Sequence, residues 1–286
     1  MKNPAVSVVI GTYERGRFLR ATIESVRDEL DAVPHEIVVV DGGSPDGTIE
    51  WLAQQRDVIT IVQHNRGEWR GRPIERRSWG YFMNLGFRAA AAPVICMLSD
   101  DCLVVPGAIR DGLRTLEQHS EAGEKVGAVA FWWRDWPSDK GYRVGLTFGD
   151  RMFVNHGLYV REALEAVGWI DEEAFAFYHA DGDIGLRLAE HGYACIQAPD
   201  SYIEHYADAN PVVRESNLAR QQADWAAYSD RWGRLGAPAR DWIDTRHDDP
   251  YRTARRYWGP LLTSRTYRLA QRLVPAVRRR LQPRAR

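Results

Sequence analysis

Residues 95–104 read ICMLSDDCLV, an apolar run that leads directly into two adjacent carboxylates, Asp100 and Asp101. Two neighbouring like charges repel each other, and the end of a buried strand is a costly place for them. Two explanations are open at this point. The pair belongs either to an ordinary surface turn, where Asp is common, or to a divalent-cation site at the carboxyl edge of a parallel sheet.

The sequence before this stretch alternates between short apolar runs and helical patterns. The predicted strands are VSVVI (6–10), EIVVV (36–40), VITIVQ (58–63) and PVICML (93–98). Apolar residues at helical spacing separate them, most clearly in FLRATIESVRDEL (18–30) and WGYFMNLGFRAAAA (79–92). This alternation predicts an open, mostly parallel sheet with helices on both faces. Ligands of such sheets bind beyond the carboxyl ends of the strands, so the loops that follow the strands are the candidate sites.

The second half of the chain is less regular. The runs at 126–133 and 146–160 predict strands of mixed direction, and residues 181–193 predict a helix that Gly192 closes. Residues 194–206 return to a strand pattern. No internal repeat or low-complexity linker occurs before residue 250, so we expect one compact unit.

The composition excludes several classes of protein. With 286 residues, of which 44% are hydrophobic, the chain is long enough for a substantial core in one large domain or two. Three cysteines, Cys96, Cys102 and Cys195, are odd in number and lack metal-type spacing, so a reducing compartment is expected rather than a disulfide framework. The first residues lack the apolar length of a signal peptide, and no run of 18 apolar residues occurs. We therefore expect a cytoplasmic protein without a membrane span.

The net charge of −1 conceals a strongly basic C-terminal tail. Residues 251–286 contain eleven arginines and no Lys, Asp or Glu, so the rest of the chain is acidic. Leucine and valine recur among the arginines at spacings of four to seven, which predicts a basic amphipathic helix interrupted at Pro275. Nucleic-acid binding and a solvated end are alternatives. We favour peripheral attachment to the inner face of an anionic membrane and expect no nucleic-acid partner.

Polar residues stand at the ends of several predicted elements. Thr12 to Gly16 follow the first strand, Asp41 follows the second, and Asp181, Asp183 and His205 belong to the later helix and strand. Each has an ordinary explanation when taken alone. Asp41 is a common turn former or helix cap, the two later aspartates complement a helix dipole, and His205 is an unremarkable strand-end histidine.

The order of these pieces is more informative than any one of them. VSVVIGTYERGRFLRATIESV, EIVVVDGGSPDGT, NLGFRAAAAPVICMLSDDCLVVPGAI and YHADGDIGLRLAEHGY together resemble the inverting glycosyltransferases of family 2. The resemblance covers about residues 5–210. It implies a GT-A type, Rossmann-like α/β fold, in which a mixed, mostly parallel central sheet is flanked by helices.

The resemblance also implies roles for individual residues. Asp101 would bind Mn²⁺ or Mg²⁺, and Asp181 would be the catalytic base. Thr12 and Asp41 would contact the base of the nucleotide sugar. Apart from the resemblance, we predict that His205 completes the shell of the cation and that Tyr13, Glu14, Arg76 and Asp100 also bind the donor. The sequence departs from the family pattern at Gly42, Ser99 and Ala180, where the family commonly has an acid.

The physical chemistry agrees with these roles. A nucleotide-sugar donor releases a diphosphate with increasing negative charge, and a hard cation on oxygen ligands can stabilise that charge. Such a cation also offsets the repulsion between Asp100 and Asp101. The metal site is therefore the better of the two explanations for the acidic pair.

Two further groups of residues leave alternatives open. Arg76 is one of five arginines in the long connection 64–80, which is either a solvated basic loop or the clamp of a diphosphate. Trp132, Trp133 and Trp136 are either core residues or a platform on which an acceptor sugar stacks.

We therefore predict a metal-dependent, inverting hexosyl- or deoxyhexosyltransferase of polysaccharide biosynthesis. Its donor would be a UDP-, dTDP- or GDP-sugar, and its acceptor a glycan or a lipid-linked glycan. The predicted parts are a transferase domain (1–210) with a nucleotide-sugar half (1–105) and an acceptor half (106–210), a helical extension (211–250) and the basic helical tail (251–286).

Two rival functions are weighed against this prediction. A sugar-phosphate nucleotidyltransferase shares the nucleotide-binding core, but it usually opens with a Gly-rich loop that ends in Arg near a Pro-Lys pair, which GTYERGRFL lacks. A non-catalytic, carbohydrate-binding relative is favoured by Ser99 and Ala180. The presence of Asp101 and Asp181 argues against it.

Overall fold

The structure is a computed structural model that describes residues 3–206, 210–246 and 256–259. Its strands are β1 (Val6–Thr12), β2 (His35–Asp41), β3 (Val58–Val62), β4 (Glu68–Trp69), β5 (Arg72–Pro73), β6 (Val94–Ser99), β7 (Cys102–Val104), β8 (Val126–Asp135), β9 (Gly141–Thr147), β10 (Arg151–Met152), β11 (Gly157–Val160), β12 (Ala194–His205) and β13 (Trp242–Arg246). Its α-helices are α1 (Gly16–Leu30), α2 (Thr48–Leu52), α3 (Trp79–Ala89), α4 (Ala108–Glu121), α5 (Arg161–Ala166), α6 (Ala180–Glu190), α7 (Pro211–Leu218) and α8 (Gln221–Trp232).

One mixed sheet organises the molecule. Strands β3, β2, β1 and β6 lie side by side and run parallel. Strand β11 runs antiparallel between β6 and β8, and β9 and β10 continue the sheet beyond β8. Strand β12 pairs in parallel with β8 and antiparallel with β7. The predicted α/β class, with a mixed, mostly parallel sheet flanked by helices, is confirmed.

The N-terminal strands are apolar throughout because both of their faces are covered. Val8 and Ile10 of β1 belong to the cluster that includes the apolar face of α1, whereas Val9 belongs to the cluster that includes α3. All three side chains are fully buried. Helix α3 comes so close to β1 that a Cβ at Gly86 would lie 2.4 Å from Cγ1 of Val9. Glycine at this position lets α3 cover the strands that carry the site.

The second half of the sheet contains a fully buried ion pair. Arg134 of β8 donates from Nε to Oε2 of Glu204 at 2.7 Å and from Nη2 to Oε1 at 2.9 Å. The hydroxyl of Tyr142 on β9 donates to the same carboxylate at 2.7 Å. Three strands are thereby joined directly beside His205.

Breaking this pair is expected to destabilise the protein strongly. Glu204→Gln removes the charge of the carboxylate that accepts two hydrogen bonds from the buried guanidinium of Arg134, which costs about 3–5 kcal/mol of unfolding free energy. The measurement is urea unfolding, with a lower midpoint at an unchanged slope. The control is Asp57→Asn, which removes the exposed partner of Arg27 and should cost under about 1 kcal/mol. Equal losses in the two variants would contradict the expectation.

The residues after β12 form more than a helical extension. The described part, 210–246, contains α7, α8 and the strand β13, which pairs with β9. The basic tail predicted for 251–286 lies outside the described residues except for 256–259, and both it and the proposed division into domains stay predictions. Within the described residues, no helix has the length and apolar character needed to cross a bilayer.

Candidate active site

The carboxyl ends of the parallel strands bring the predicted donor residues to one edge of the sheet. Thr12, the last residue of β1, is in register with Asp41, the last residue of β2. Gly11 is in register with Ser99 at the end of β6, so Asp100 emerges next to Thr12. The hydroxyl of Thr12 donates to Oδ2 of Asp100 at 2.8 Å. Parallel pairing therefore accounts for the convergence of three loops that are far apart in sequence.

Arg15 contacts both side chains of the adjacent acidic pair, Asp100 and Asp101. Its Nη1 lies 2.8 Å from Oδ1 of Asp100 and 2.8 Å from Oδ2 of Asp101, and both carboxylates are almost completely buried. Burial raises the pKa of Asp100 to about 6, against the lowering effect of Arg15. Burial acts in the same direction on Asp101, but Arg15 and His205 hold the pKa of that carboxyl well below its usual range. Asp101 therefore carries a full negative charge at neutral pH.

His205 approaches Asp101 from the far side of the site. Strand β12 lies between β7 and β8, which places His205 opposite Asp135 of β8. Nδ1 of His205 is 2.8 Å from Oδ1 of Asp135, and Nε2 is 3.4 Å from Oδ1 of Asp101. Burial lowers the pKa of His205, but the two carboxylates more than offset this effect and raise it to about 9.

The residues around Asp101 fit a divalent cation. Oδ1 of Asp101 is buried and has no hydrogen-bond partner among the described residues. It faces Nε2 of His205, whose other ring nitrogen is held by Asp135, the arrangement by which carboxylates orient metal-binding histidines. Among the described residues, no group of three or more His, Cys, Asp or Glu side chains is placed to hold an ion. Asp101 and His205 are thus the two candidate ligands in the described part of the chain.

Asp181 and Asp183 have different environments although both lie in the first turn of α6. Asp181 accepts the backbone N–H of Gly182 at 2.9 Å and a long contact of 3.5 Å from Nδ2 of Asn155. Burial raises the pKa of Asp181 above its ordinary value. Asp183 is instead fully buried, with Arg187 at 2.7 Å and Arg231 at 2.9 Å. Asp183 joins α6 to α8, whereas the Asp181 carboxylate forms no ion pair in the described part of the chain.

One cavity connects the acidic pair with Asp181. It has a volume of about 290 Å³, and its lining includes Asp101, Asp135, His205 and Asp181. A cavity of about 160 Å³ adjoins it through the shared residues Arg15 and Ser99. The predicted metal ligands and the predicted base therefore face the same space.

The smaller cavity contains most of the predicted donor-binding residues. Its lining includes Thr12, Tyr13, Arg66, Arg76 and Asp100. The guanidinium carbon of Arg66 lies 4.9 Å from the centre of the Tyr13 ring. Burial and the neighbouring Arg66 lower the pKa of Arg76 to about 10. Of the five arginines in the 64–80 loop, Arg66, Arg76 and Arg77 line this cavity, and Arg70 and Arg72 are exposed.

Two predicted donor residues, Asp41 and Glu14, are not part of this lining. Asp41 is fully buried, and its Oδ1 accepts the backbone N–H groups of Gly43 and Ser44. Its Oδ2 is buried and has no hydrogen-bond partner among the described residues. Glu14 is not part of the lining, and its backbone N–H donates to Oγ of Ser44.

Helix α8 brings two residues to the site that the sequence reasoning missed. Asp224 accepts the backbone N–H groups of residues 176–178 at 2.8 to 2.9 Å, so it fixes the loop that leads to Asp181. The next residue, Trp225, is 49% exposed, and its indole packs 5.2 Å from the His179 ring. Trp132 and Trp136 are buried core residues, and Trp133 lines the larger cavity.

The sequence of the chain is similar to those of several known proteins. The protein y4gI of Sinorhizobium fredii is 24% identical over 237 residues, 72% of this chain and 25% of that protein. The chondroitin synthase of Pasteurella multocida is 28% identical over 109 residues, 37% of this chain and 10% of that protein. The chain thus spans a quarter or less of the length of these two curated relatives.

A solved structure gives the same fold. The mannosyltransferase PcManGT of Pyrobaculum calidifontis, in complex with GDP-mannose and Mn²⁺, matches with a TM-score of 0.52 at 17% identity, over 94% of this chain and 83% of that one. The predicted GT-A type fold is thereby confirmed. The family model described as Glycosyl transferase family 2 matches residues 7–159, which is more than half of the chain. The chain therefore belongs to glycosyltransferase family 2.

Proposed function

We propose that the protein is a metal-dependent, inverting transferase that moves a hexose or deoxyhexose from a nucleotide sugar to a hydroxyl of a glycan or lipid-linked acceptor. The observation that carries the proposal is the shared cavity of Asp101, His205 and Asp181. This cavity combines the candidate cation site at Asp101 and His205 with the carboxylate of Asp181, which forms no ion pair among the described residues. The proposed process is polysaccharide biosynthesis.

The donor would lie across both cavities. Tyr13 and Arg66 offer flat surfaces to the base, and the unpartnered Oδ2 of Asp41 is an acceptor for a base N–H. Thr12 and Asp100 would contact the ribose or the sugar, and Arg76 the diphosphate. UDP-, dTDP- and GDP-sugars all fit these requirements. The complex of PcManGT with GDP-mannose supports a nucleotide sugar as the donor class.

Asp101 and His205 would hold Mn²⁺ or Mg²⁺, a Lewis acid that stabilises the charge of the departing diphosphate when bound. The described residues offer two candidate ligands for an ion that takes six or more, so donor and cation are expected to bind together. Arg15 keeps Asp100 and Asp101 side by side and contributes a fixed positive charge at this position. The Mn²⁺ complex of PcManGT supports this part of the proposal.

Asp181 would remove the proton of the acceptor hydroxyl as the new bond forms. Its carboxylate lines the cavity without a countercharge among the described residues, and its raised pKa makes it a stronger base than a surface carboxylate. Attack from the face opposite the diphosphate inverts the anomeric configuration. Asp224 fixes the 176–178 loop, which leads to Asp181.

Trp225 is an exposed indole that packs on His179, two residues before Asp181, and we expect it to hold the acceptor sugar, because sugar rings stack their C–H faces on exposed indoles. Trp225→Ala is expected to raise the acceptor KM roughly five- to tenfold, with a smaller change in kcat and in donor affinity. Initial rates at varied acceptor concentration measure this effect. Trp242→Ala is the matched control, since that indole is similarly exposed but packs on Arg143. A KM that rises equally in both variants would contradict the role of Trp225.

Ligand-dependent thermal stability tests the proposal as a whole. The protein is heated with UDP-, dTDP- and GDP-sugars, each with and without Mn²⁺. A ligand that binds the folded state raises the unfolding temperature, so one nucleotide class should give a shift that increases with the cation. No shift with any nucleotide sugar would overturn the proposed donor, and a shift that ignores Mn²⁺ and Mg²⁺ would overturn the metal dependence. Attachment of the basic tail to a membrane stays a prediction.

A further inference from the structure

Four aromatic side chains form a layer beneath the Asp101–His205 pair. This aromatic floor consists of Phe18, Trp136, Tyr206 and Trp258. Trp258 is completely buried, and its ring centre lies 5.1 Å from that of Trp136 and 5.2 Å from that of Tyr206. The ring of Phe18 stacks on the other side of Tyr206 at 5.3 Å. The floor thus combines α1, the ends of β8 and β12, and a residue from the far C-terminal part of the chain.

The aromatic floor is tied directly to the residues of the site. Trp136 follows Asp135 in the chain, and its backbone N–H donates to the carbonyl of His205 at 2.8 Å. Tyr206 follows His205, and its backbone N–H donates to the carbonyl of Asp101 at 2.8 Å. A shift of either ring therefore moves the backbone of the residues that carry the two carboxylates and the imidazole.

Contacts with α1 hold the segment that carries Trp258. Arg256 forms an ion pair with Asp28 of α1 at 3.2 Å, and the hydroxyl of Tyr257 donates to the same carboxylate. Residues 256–259 are helical and cross α1, whose N-terminal end carries Arg15. The C-terminal segment thereby touches both the helix behind Arg15 and the aromatic residues behind Asp135 and His205.

We propose that Trp258 is a positioning residue, through which the C-terminal segment fixes Asp101, Asp135 and His205 in the arrangement that binds a cation. Close packing leaves the rings of Tyr206 and Trp136 one position while Trp258 is present. Without the indole, they gain a space into which they can turn, and the 3.4 Å approach of His205 to Asp101 is no longer enforced. That the ligand of Asp101 and His205 is a cation rests on the proposed function. The packing of Trp258 on Trp136 and Tyr206 does not depend on it. One consequence is that truncation before Tyr251 removes part of the support of the site.

The variants for the test are Trp258→Ala, Trp258→Phe and Leu164→Ala, each in the full chain. Leu164 is a fully buried residue of α5, which follows β11 at the amino end of β6, so its truncation lowers stability away from the floor and from Asp28. The first measurement is hydrogen–deuterium exchange at the Trp136 and Tyr206 amides. The second is calorimetric binding of Mn²⁺ in the presence of UDP, dTDP or GDP. Thermal unfolding reports the overall stability of every variant.

Trp258→Ala is expected to speed exchange at both amides and to weaken Mn²⁺ binding roughly 10- to 100-fold, the range seen when a residue that orients a metal ligand is lost. Trp258→Phe should show a smaller change in both, and Leu164→Ala should change only the unfolding temperature. If Trp258→Ala does not fold, the comparison of Trp258→Phe with Leu164→Ala decides the question.

Two outcomes distinguish a failure of the proposed role of Trp258 from a failure of the proposed function. Exchange and Mn²⁺ binding that stay unchanged while stability falls would show that Trp258 is an ordinary core residue and would overturn the proposal. Absence of Mn²⁺-dependent binding in the unmodified chain would instead contradict the metal part of the proposed function. In that case the exchange of the Trp136 and Tyr206 amides still decides whether Trp258 positions the site.

Discussion

Asp181→Asn is expected to lose most of the transfer activity while it retains donor and cation binding. Asparagine has nearly the same shape, but it cannot take a proton from the acceptor hydroxyl, and that transfer contributes roughly 10²–10⁴-fold to a rate. The Asp181 carboxylate has no ion pair among the described residues, so the substitution breaks little structure. Turnover with the identified donor measures the loss, and calorimetry measures donor affinity. Near-normal turnover would contradict the role of Asp181.

Asp183→Asn is the control on the same turn of α6. Asp183 is paired with Arg187 and Arg231, so its substitution should lower the unfolding temperature. The turnover of the folded fraction should fall much less than in Asp181→Asn. An equal loss in the two variants would mean that the position of α6, rather than a base at residue 181, limits the reaction. The anomeric configuration of the product, read by NMR, checks the inverting geometry independently.

The same residue sets the expected pH dependence. Burial raises the pKa of Asp181, so the carboxyl stays protonated to a higher pH than an exposed aspartate. A base acts only when it is deprotonated. The value of kcat/KM should therefore be low at pH values below the raised pKa of Asp181 and should increase as the pH rises through it. The residual rate of Asp181→Asn should lack this acidic limb.

The parallel half of the fold is readable from the sequence because its signals are local. A strand that is covered on both faces must be apolar throughout, and the runs at 6–10, 36–40 and 93–98 correspond to β1, β2 and β6. Strand β13 is different. Its five residues, Trp242–Arg246, lie in a stretch predicted as helical, and they become a strand because they pair with β9, about a hundred residues earlier in the chain. Local pattern does not contain that partner.

The same distinction separates the site residues that were predicted from those that were missed. Asp101 lies in the turn after the apolar strand β6, and His205 ends β12, so both are recognisable as polar residues where the ligands of such sheets bind. Asp135 gains its role only through the register of β8 and β12, which brings it 2.8 Å from His205. Arg15 could have been suspected as a basic residue in the turn after β1, but its contact with both acids depends on the pairing of β1 with β6. Trp258 gives no local signal at all.

Asp101→Asn is expected to remove most of the cation dependence of nucleotide binding. Asparagine retains one oxygen but loses the charge that draws a divalent ion to this edge, and the ligand that remains is His205. The loss of Mn²⁺ affinity should exceed the roughly 10- to 100-fold that loss of an orienting partner costs. Calorimetric titration of UDP, dTDP or GDP, each with and without Mn²⁺, separates the metal-dependent part of the binding free energy from the rest.

Asp41→Asn is the matched control for this titration. Asp41 is a buried carboxylate at the same sheet edge, but it is not part of the cavity lining that includes Asp101 and His205. Its substitution should weaken nucleotide binding by the same factor with and without Mn²⁺, because it would remove a contact to the base alone. An Asp101→Asn protein that binds the nucleotide with unchanged Mn²⁺ dependence would contradict the metal site. The guanidinium of Arg15, 2.8 Å from both carboxylates, would then be the charge that balances the acidic pair.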